Sequence, residues 1–198
     1  MSTLKTTNIT HGSNSGTNNL ILASDGKVSV ATGKLYCPGT IIQVLQTVKT
    51  DTGNHNSATW TDITGMSQAI TPTAATSKFK VSVDVRIGAS SYAASIHLRL
   101  VRTVGGSDTV IGVGASASDR TQSFWGTEEF GRETSPPYQV RSVSTTYLDD
   151  PDTASAITYK VQWSVPQQTA YINQTGDDTD LAQYPRCSSA IMVEEVAA

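Results

Sequence analysis

Between residues 78 and 87 the chain alternates without a break. Phe79, Val81, Val83, Val85 and Ile87 are apolar, and Lys78, Lys80, Ser82, Asp84 and Arg86 sit between them. A period of two held this long specifies a β-strand with one face in a core and the other in water, because a helix would scatter the same residues around its axis. Antiparallel sheets with one covered face carry this pattern. Two further segments repeat it. In residues 95–102, Ile96, Leu98 and Leu100 are expected inward, with His97 and Arg99 outward. In 157–165, Ile157, Tyr159, Val161, Trp163 and Val165 alternate with polar residues.

Around these three segments the chain supplies more short strands. Residues 41–48 are β-rich, 60–63 are short and end at Gly65, and 66–71 are stopped by Pro72. Gly105-Gly106 turns the 95–102 strand into a partner at 109–113. Residues 170–173 and 190–196 complete the set. No amphipathic helix is found. Short strands separated by Gly, Pro, Ser, Asn and Asp predict an antiparallel sandwich or jelly roll. Residues 116–147 are the irregular part. They read as long loops with two strands at most, Phe124-Trp125 and 139–143, and they carry Trp125, Tyr138 and Tyr147. Long loops on a β scaffold are where recognition usually sits, and aromatic residues are enriched in interfaces. These three are therefore the candidate interface or receptor-facing residues.

Composition agrees with this class. Ser and Thr make up about a quarter of the chain, well above ordinary usage. Both compete with a helical backbone for hydrogen bonds, and threonine suits a solvated strand face. The net charge of −3 provides no basic stripe for nucleic acid. No run of 18 apolar residues would cross a membrane as a helix, and residues 1–10 lack the apolar stretch of a secretory signal. Assembly in a cytoplasm is the expectation.

The first forty residues differ from the rest. Residues 1–19 are almost wholly polar. Leu20-Ile21-Leu22, Asp25-Gly26 and Val28-Ser29-Val30 then read as a hairpin through a type I′ turn. The segment is too poor in apolar residues to fold alone, so a sister subunit or a neighbouring protein is expected to cover it. The predicted division is a stem or attachment segment over 1–39 and a sandwich domain over 40–198.

Catalytic signatures are weak throughout. A nucleophilic triad needs a histidine base. His11 and His55 lie in polar Gly/Asn-rich segments, and His97 alternates outward. The adjacent carboxylates Glu128-Glu129 and Asp149-Asp150 would point to opposite faces of a strand, which does not suit a glycosidase pair. Two acidic clusters, Asp149, Asp150 and Asp152 and then Asp177, Asp178 and Asp180, offer oxygen ligands but match no calcium loop. They read as solubilising loop tips. Asn8 and Asn173 head glycosylation tripeptides that carry no meaning without a secretory route. Cys37 and Cys187 have neither zinc-ligand spacing nor a disulfide framework. They are two buried thiols, or else one bridge from the start of the domain to its last strand. No catalytic residue, cofactor or metal is predicted.

The phrases TIIQVLQ (40–46), WTDITGM (60–66), AITP (69–72), SKFKVSV (77–83) and SSAIMVEEV (188–196) resemble a domain common in tail-fibre and other virion proteins of marine and cyanobacterial phages. STLKTTNI (2–9) and LASDGKV (22–28) resemble the stem preceding that domain. The resemblance covers most of the chain apart from residues 114–150, and its motifs are phrases of strand and turn. That domain is similar in strand order to the trimeric jelly roll of tumour necrosis factor and the complement globular heads. The resemblance implies a homotrimer with part of the 78–87 or 190–196 sheet facing the threefold axis, and no catalytic residues. Glu194-Glu195 departs from the apolar final strand of that pattern.

The resemblance thus implies a non-enzymatic virion structural protein, assembled in the host cytoplasm. It would be displayed either as a short tail fibre or spike that contacts a host-surface glycan or receptor, or as a capsid decoration protein. Other virion proteins would attach through residues 1–39. The alternative from another class is a soluble carbohydrate-binding β-sandwich module, which predicts a stable monomer with a shallow aromatic site. A third reading, a depolymerase, requires Glu128, Glu129, Asp149 or Asp150 to converge in a groove.

Overall fold

The computed structural model describes residues 8–9, 20–22, 24–25, 27–30, 37–130 and 138–198. Its strands are β1 (Asn8–Ile9), β2 (Leu20–Leu22), β3 (Val28–Val30), β4 (Ile41–Lys49), β5 (Gly53–His55), β6 (Thr61–Ile70) and β7 (Lys78–Ala89). They continue as β8 (Ser95–Val104), β9 (Ser107–Ile111), β10 (Trp125–Thr127), β11 (Val140–Asp149), β12 (Ile157–Gln167), β13 (Ala170–Ile172) and β14 (Ser189–Val196).

Two antiparallel sheets face each other as a jelly-roll sandwich. In the first, β8 lies between β12 on one edge and both β9 and β10 on the other, and β6 closes the far side of β12. In the second, β7 has β11 along one edge, while β14 and β13 share the other edge end to end. β4 continues outward from β14, and β5 from β13. Strands β1, β2 and β3 form a separate small sheet.

The three alternating segments fall as their pattern requires. Phe79, Val81, Val83, Val85 and Ile87 of β7 meet Ile96, Leu98 and Leu100 of β8 and Ile157, Tyr159, Val161, Trp163 and Val165 of β12 in one core. Within it the Phe79 and Tyr159 rings lie 6.1 Å apart in a tilted contact. Gly105 and Gly106 both take positive φ, 57° and 82°, and pair Val104 with Ser107 across a two-residue turn, the geometry whose twist matches a hairpin.

Several expectations need correction. The two segments around Gly65 are one strand, because Gly65 (φ 82°) absorbs a register shift between β6 and β12 instead of ending the strand. The strand expected at 109–113 begins at Ser107, directly after its turn. β10 lies one residue beyond Phe124. β11 extends the expected 139–143 strand to Asp149, so the end of the supposed irregular region is a ten-residue strand against β7. β13 stops at Ile172 because Asn173 turns left-handed at φ 63°. β5 was not anticipated. The β2–β3 hairpin forms, but Leu22 faces Val28. A two-residue Asp25-Gly26 turn would have set it opposite Ser29; Ala23 and Gly26, on which that expected turn rests, lie outside the described residues. The cysteines are unbridged, and Cys37 is exposed where burial was expected.

Candidate functional site

The outer surfaces of the two sheets differ in chemistry. On the β6–β12–β8 face the outward residues are charged and paired. Lys160 Nζ lies 3.2 Å from Asp62 Oδ2 and 2.9 Å from Asp108 Oδ2. Gln162 receives Arg99 Nε at 2.8 Å and donates to Asp62 Oδ1 at 2.6 Å. The Arg99 guanidinium rests 4.3 Å from the Trp60 ring centroid. Hydrogen bonds first from Thr103 and then from Lys160 hold Asp108 below the usual carboxylate range, and Asp108 in turn raises Lys160. Such a face is well satisfied by water and by itself.

The opposite face is different, and β4 is the reason. Register with β14 and β7 places Gln43, Leu45, Thr47 and Lys49 between the sheets, so Val44, Gln46 and Val48 must point out. Polar residues of β4 thus face inward while its valines face solvent. Each inward polar group has a partner: Gln43 donates to Glu195, Thr47 to Gln68 at 2.9 Å, and Lys49 to Asp51 at 2.8 Å. Outward, Ile41, Val44 and Val48 are each about half exposed. Met192 and Ala190 of β14 lie beside them, and Leu148 of β11 is 57% exposed on the same sheet. The charged pairs on this face lie along β7: Lys80 with Glu194, 2.6 Å apart, Lys78 with Asp150 at 3.3 Å, and Arg86 with Asp84. Glu194 therefore lies on the outer face and Glu195 inside.

The three predicted aromatic residues do not converge. Trp125 is half-buried on β10, opposite Leu98, and packs against the core. Tyr147 lies with its ring over Gly112, whose positive φ and missing side chain make room for it. Tyr138 is the most exposed, at 52%, and meets Tyr184 at 5.9 Å between centroids. Tyr184 carried no sequence signal, since it stands in a loop without periodicity.

The candidate catalytic groups also separate. Asp149 is buried, receiving Arg102 at 2.9 and 3.0 Å and the Tyr159 hydroxyl at 2.7 Å, while Asp150 faces Lys78 at 3.3 Å on the surface. Glu128 borders a shallow recess beside His97 and Arg120. Burial holds His97 below the ordinary imidazole range, and its Nδ1 has no partner among the described residues. His11 lies outside the described residues. Among them, no three His, Cys, Asp or Glu side chains form a metal-binding group. Asp178 instead pairs with Arg186, and Asp177 receives Thr179. Asn173 is fully buried, so a glycan could not be attached to it in the folded chain.

At one end of the sandwich, between β5 and the start of β6, lies a cleft of about 310 Å³. Lys49, Asn54, His55, Asp62, Thr64 and Trp163 are among its lining residues. The His55 and Trp163 rings stack at 5.4 Å and 12°. Sequence reasoning read Trp163 as core, which is correct for its strand position. That it also borders a cleft depends on β5, which had no sequence signal.

No protein-family model matches this chain, and no curated protein matches it. Fourteen chains of solved structures match it. One is the structure of infectious bursal disease virus Gt strain, with 9% identity and a TM-score of 0.37, covering 96% of this chain and 47% of that one. Another is the Gx strain of the same virus, with 11% identity and a TM-score of 0.34, covering 79% and 37%. This chain thus spans less than half the length of either.

Proposed function

We propose that this chain is a non-enzymatic structural protein of a tailed-phage virion, displayed on the particle surface as a homotrimer. It would serve as a short tail fibre or spike that contacts the host, or as a capsid decoration protein. The observation that carries the self-association is the inversion of β4. A nine-residue strand at the edge of its sheet, with Ile41, Val44 and Val48 turned to solvent, is the kind of surface that soluble monomers avoid. The stem over 1–39 supplies the attachment to other virion proteins, and the exposed Tyr138, resting against the half-buried Tyr184, offers an aromatic surface for host contact.

Light scattering on the purified full chain should give three copies per particle. Val44→Lys combined with Val48→Lys should give monomers with an unchanged circular dichroism spectrum. A wild-type monomer would overturn the trimer and favour a soluble carbohydrate-binding module. Quantitative mass spectrometry of purified particles then separates the two virion roles. Copies matching the capsid lattice mark a decoration protein, copies matching tail appendages mark a fibre or spike, and absence from particles overturns the virion assignment.

A further inference from the structure

We infer that the free edge of β4 pairs, backbone to backbone, with the free edge of β11 in the next copy, so that the second sheet runs on from chain to chain round the oligomer. This rests on the self-association reading above and names the surface that β4 meets.

The argument begins with the two ends of that sheet. The path β4–β14–β7–β11 starts on a strand of nine residues and finishes on one of ten. Among the described residues, no strand pairs with the far side of either. Each therefore presents a row of backbone N–H and C=O groups. Soluble proteins blunt such edges with charges, prolines, bulges or brevity. The other edges of this sandwich follow that rule. β5 and β10 have three residues each. β9 carries Asp108, and β6 carries Asp62 and is interrupted by the register shift at Gly65. β4 and β11 depart from it. Residues 43–48 and 142–148 contain no charged residue, no proline and no glycine. The one irregularity of β4 falls at its start, beside Ile42.

The inner faces of these two strands are equally open. Leu45 and Thr145 point between the sheets and are still only half-buried, and Tyr147, also inward, is 36% exposed. A further strand laid along each edge would cover them.

Strand direction selects the pairing. Each neighbour in the path is antiparallel, so β4 runs opposite to β11. A rotation axis along the strands keeps every copy the same way up, so β4 of one meets β11 of the next antiparallel. The faces continue as well. Val44 and Val48 run on into Leu148 outside, and Leu45 into Tyr147 inside, and cross-strand side-chain pairs are what stabilises such a junction. Pairing β4 with β4 about a twofold axis would also be antiparallel, but it would leave β11 open on both copies. One β4–β11 contact, repeated round a closed ring, covers both long uncharged edges.

The test is cross-linking of the full chain with a short bis-maleimide, in a background where Cys37→Ser and Cys187→Ser remove the native thiols. Val44→Cys combined with Thr146→Cys should give covalent dimers and trimers on a denaturing gel, and either substitution alone should give none. Covalent dimers from Val44→Cys alone would mean a twofold β4–β4 contact and overturn the inference, as would the absence of any cross-link in the double variant. A second variant probes the far edge. Thr146→Lys, at an exposed position, should reduce three copies per particle to one in light scattering, with an unchanged circular dichroism spectrum. A contact made by the valines of β4 without β11 would leave that variant trimeric. Wild-type monomers would refute the self-association and this pairing together, whereas trimers that fail to cross-link and tolerate Thr146→Lys refute the pairing alone.

Discussion

The carboxylate of Glu195 accepts both the backbone N–H and the hydroxyl of Thr73, each at 2.7 Å. Glu195 is fully buried at the end of β14, and its other oxygen receives Gln43 Nε2 at 2.5 Å. One acid thus fastens the loop after β6 to the last strand and to the edge strand β4. Burial by itself would raise its pKa, but the hydrogen bonds from its neighbours outweigh burial and hold it below the ordinary 4.5. A depressed folded-state pKa contributes stability that is present above the unfolded value and lost as pH falls through the folded one. The chain should therefore lose stability on acidification below about pH 4.5. Glu195→Gln should be less stable at neutral pH, by about 2–3 kcal/mol, and show a flatter acid limb. Urea denaturation across that range reads both effects, and parallel acid limbs would sink the assignment.

Two ion pairs of equal appearance should differ in worth. Arg102 and Asp149 are both largely buried, and Asp149 also holds the Tyr159 hydroxyl. Breaking that set with Asp149→Ala leaves an uncompensated guanidinium between the sheets and should cost about 3–5 kcal/mol. Lys160 bridges Asp62 and Asp108 on an exposed face, where removing an ion pair costs about 1 kcal/mol or less. Denaturation of Asp149→Ala and Lys160→Ala in low and high salt checks the contrast. Only the Lys160 contribution should shrink with salt.

The residues that made the fold legible are those whose inner faces are uniformly apolar. β7, β8 and β12 could be read because Phe79, Leu98 and Val161 each repeat at every second position. β11 could not be read to its end, because its inner face mixes Val143 with Thr145, Tyr147 and Asp149. Asp149 is accepted there only because Arg102 and Tyr159 arrive from other strands. β4 was legible as a strand, but its inversion was not. Gln43 and Thr47 turn inward because Glu195 and Gln68, distant in sequence, receive them. The cleft was hidden for the same reason, since β5 has almost no apolar residue and exists through pairing with β13. Glu194-Glu195 departed from the apolar pattern because one acid anchors a loop inside and its neighbour meets Lys80 outside.

Gly88 and Gly176 mark a place where two backbones touch. A Cβ on Gly88 would overlap the Gln174 carbonyl, and one on Gly176 would overlap the carbonyl of Ala89. The segment after β13 therefore lies directly on the end of β7, whose backbone at Gly88 is held by pairing with both β11 and β13. Gly88→Ala and Gly176→Ala should each destabilise by more than about 3 kcal/mol, within the overpacking tail of single substitutions. Gly114→Ala, with open space around it, should be nearly neutral. Thermal unfolding of the three variants checks the ranking, and a stable Gly88→Ala would show that the contact relaxes.

Asn173 closes the same junction from the other side. Its side-chain Nδ2 donates to the carbonyls of Lys49 and Asp51, both at 2.9 Å, and its Oδ1 accepts the Ser189 hydroxyl at 2.6 Å. It ties β4, β13 and β14 together while sitting fully buried at φ 63°, a conformation that Asn tolerates better than most residues. Asn173→Gly keeps the backbone relaxed but drops three hydrogen bonds, for a loss of about 2–3 kcal/mol. Asn173→Asp is nearly isosteric, yet it aims a carboxylate at two carbonyl oxygens and should be the less stable of the two at neutral pH. Burial and the facing carbonyls raise the pKa of that new acid in the folded state, so its stability relative to wild type should recover as pH falls and the acid regains a donor. Denaturation midpoints of both variants at neutral and mildly acidic pH give the answer. A pH-independent gap between Asn173→Asp and wild type would mean that this side chain does not donate to the carbonyls.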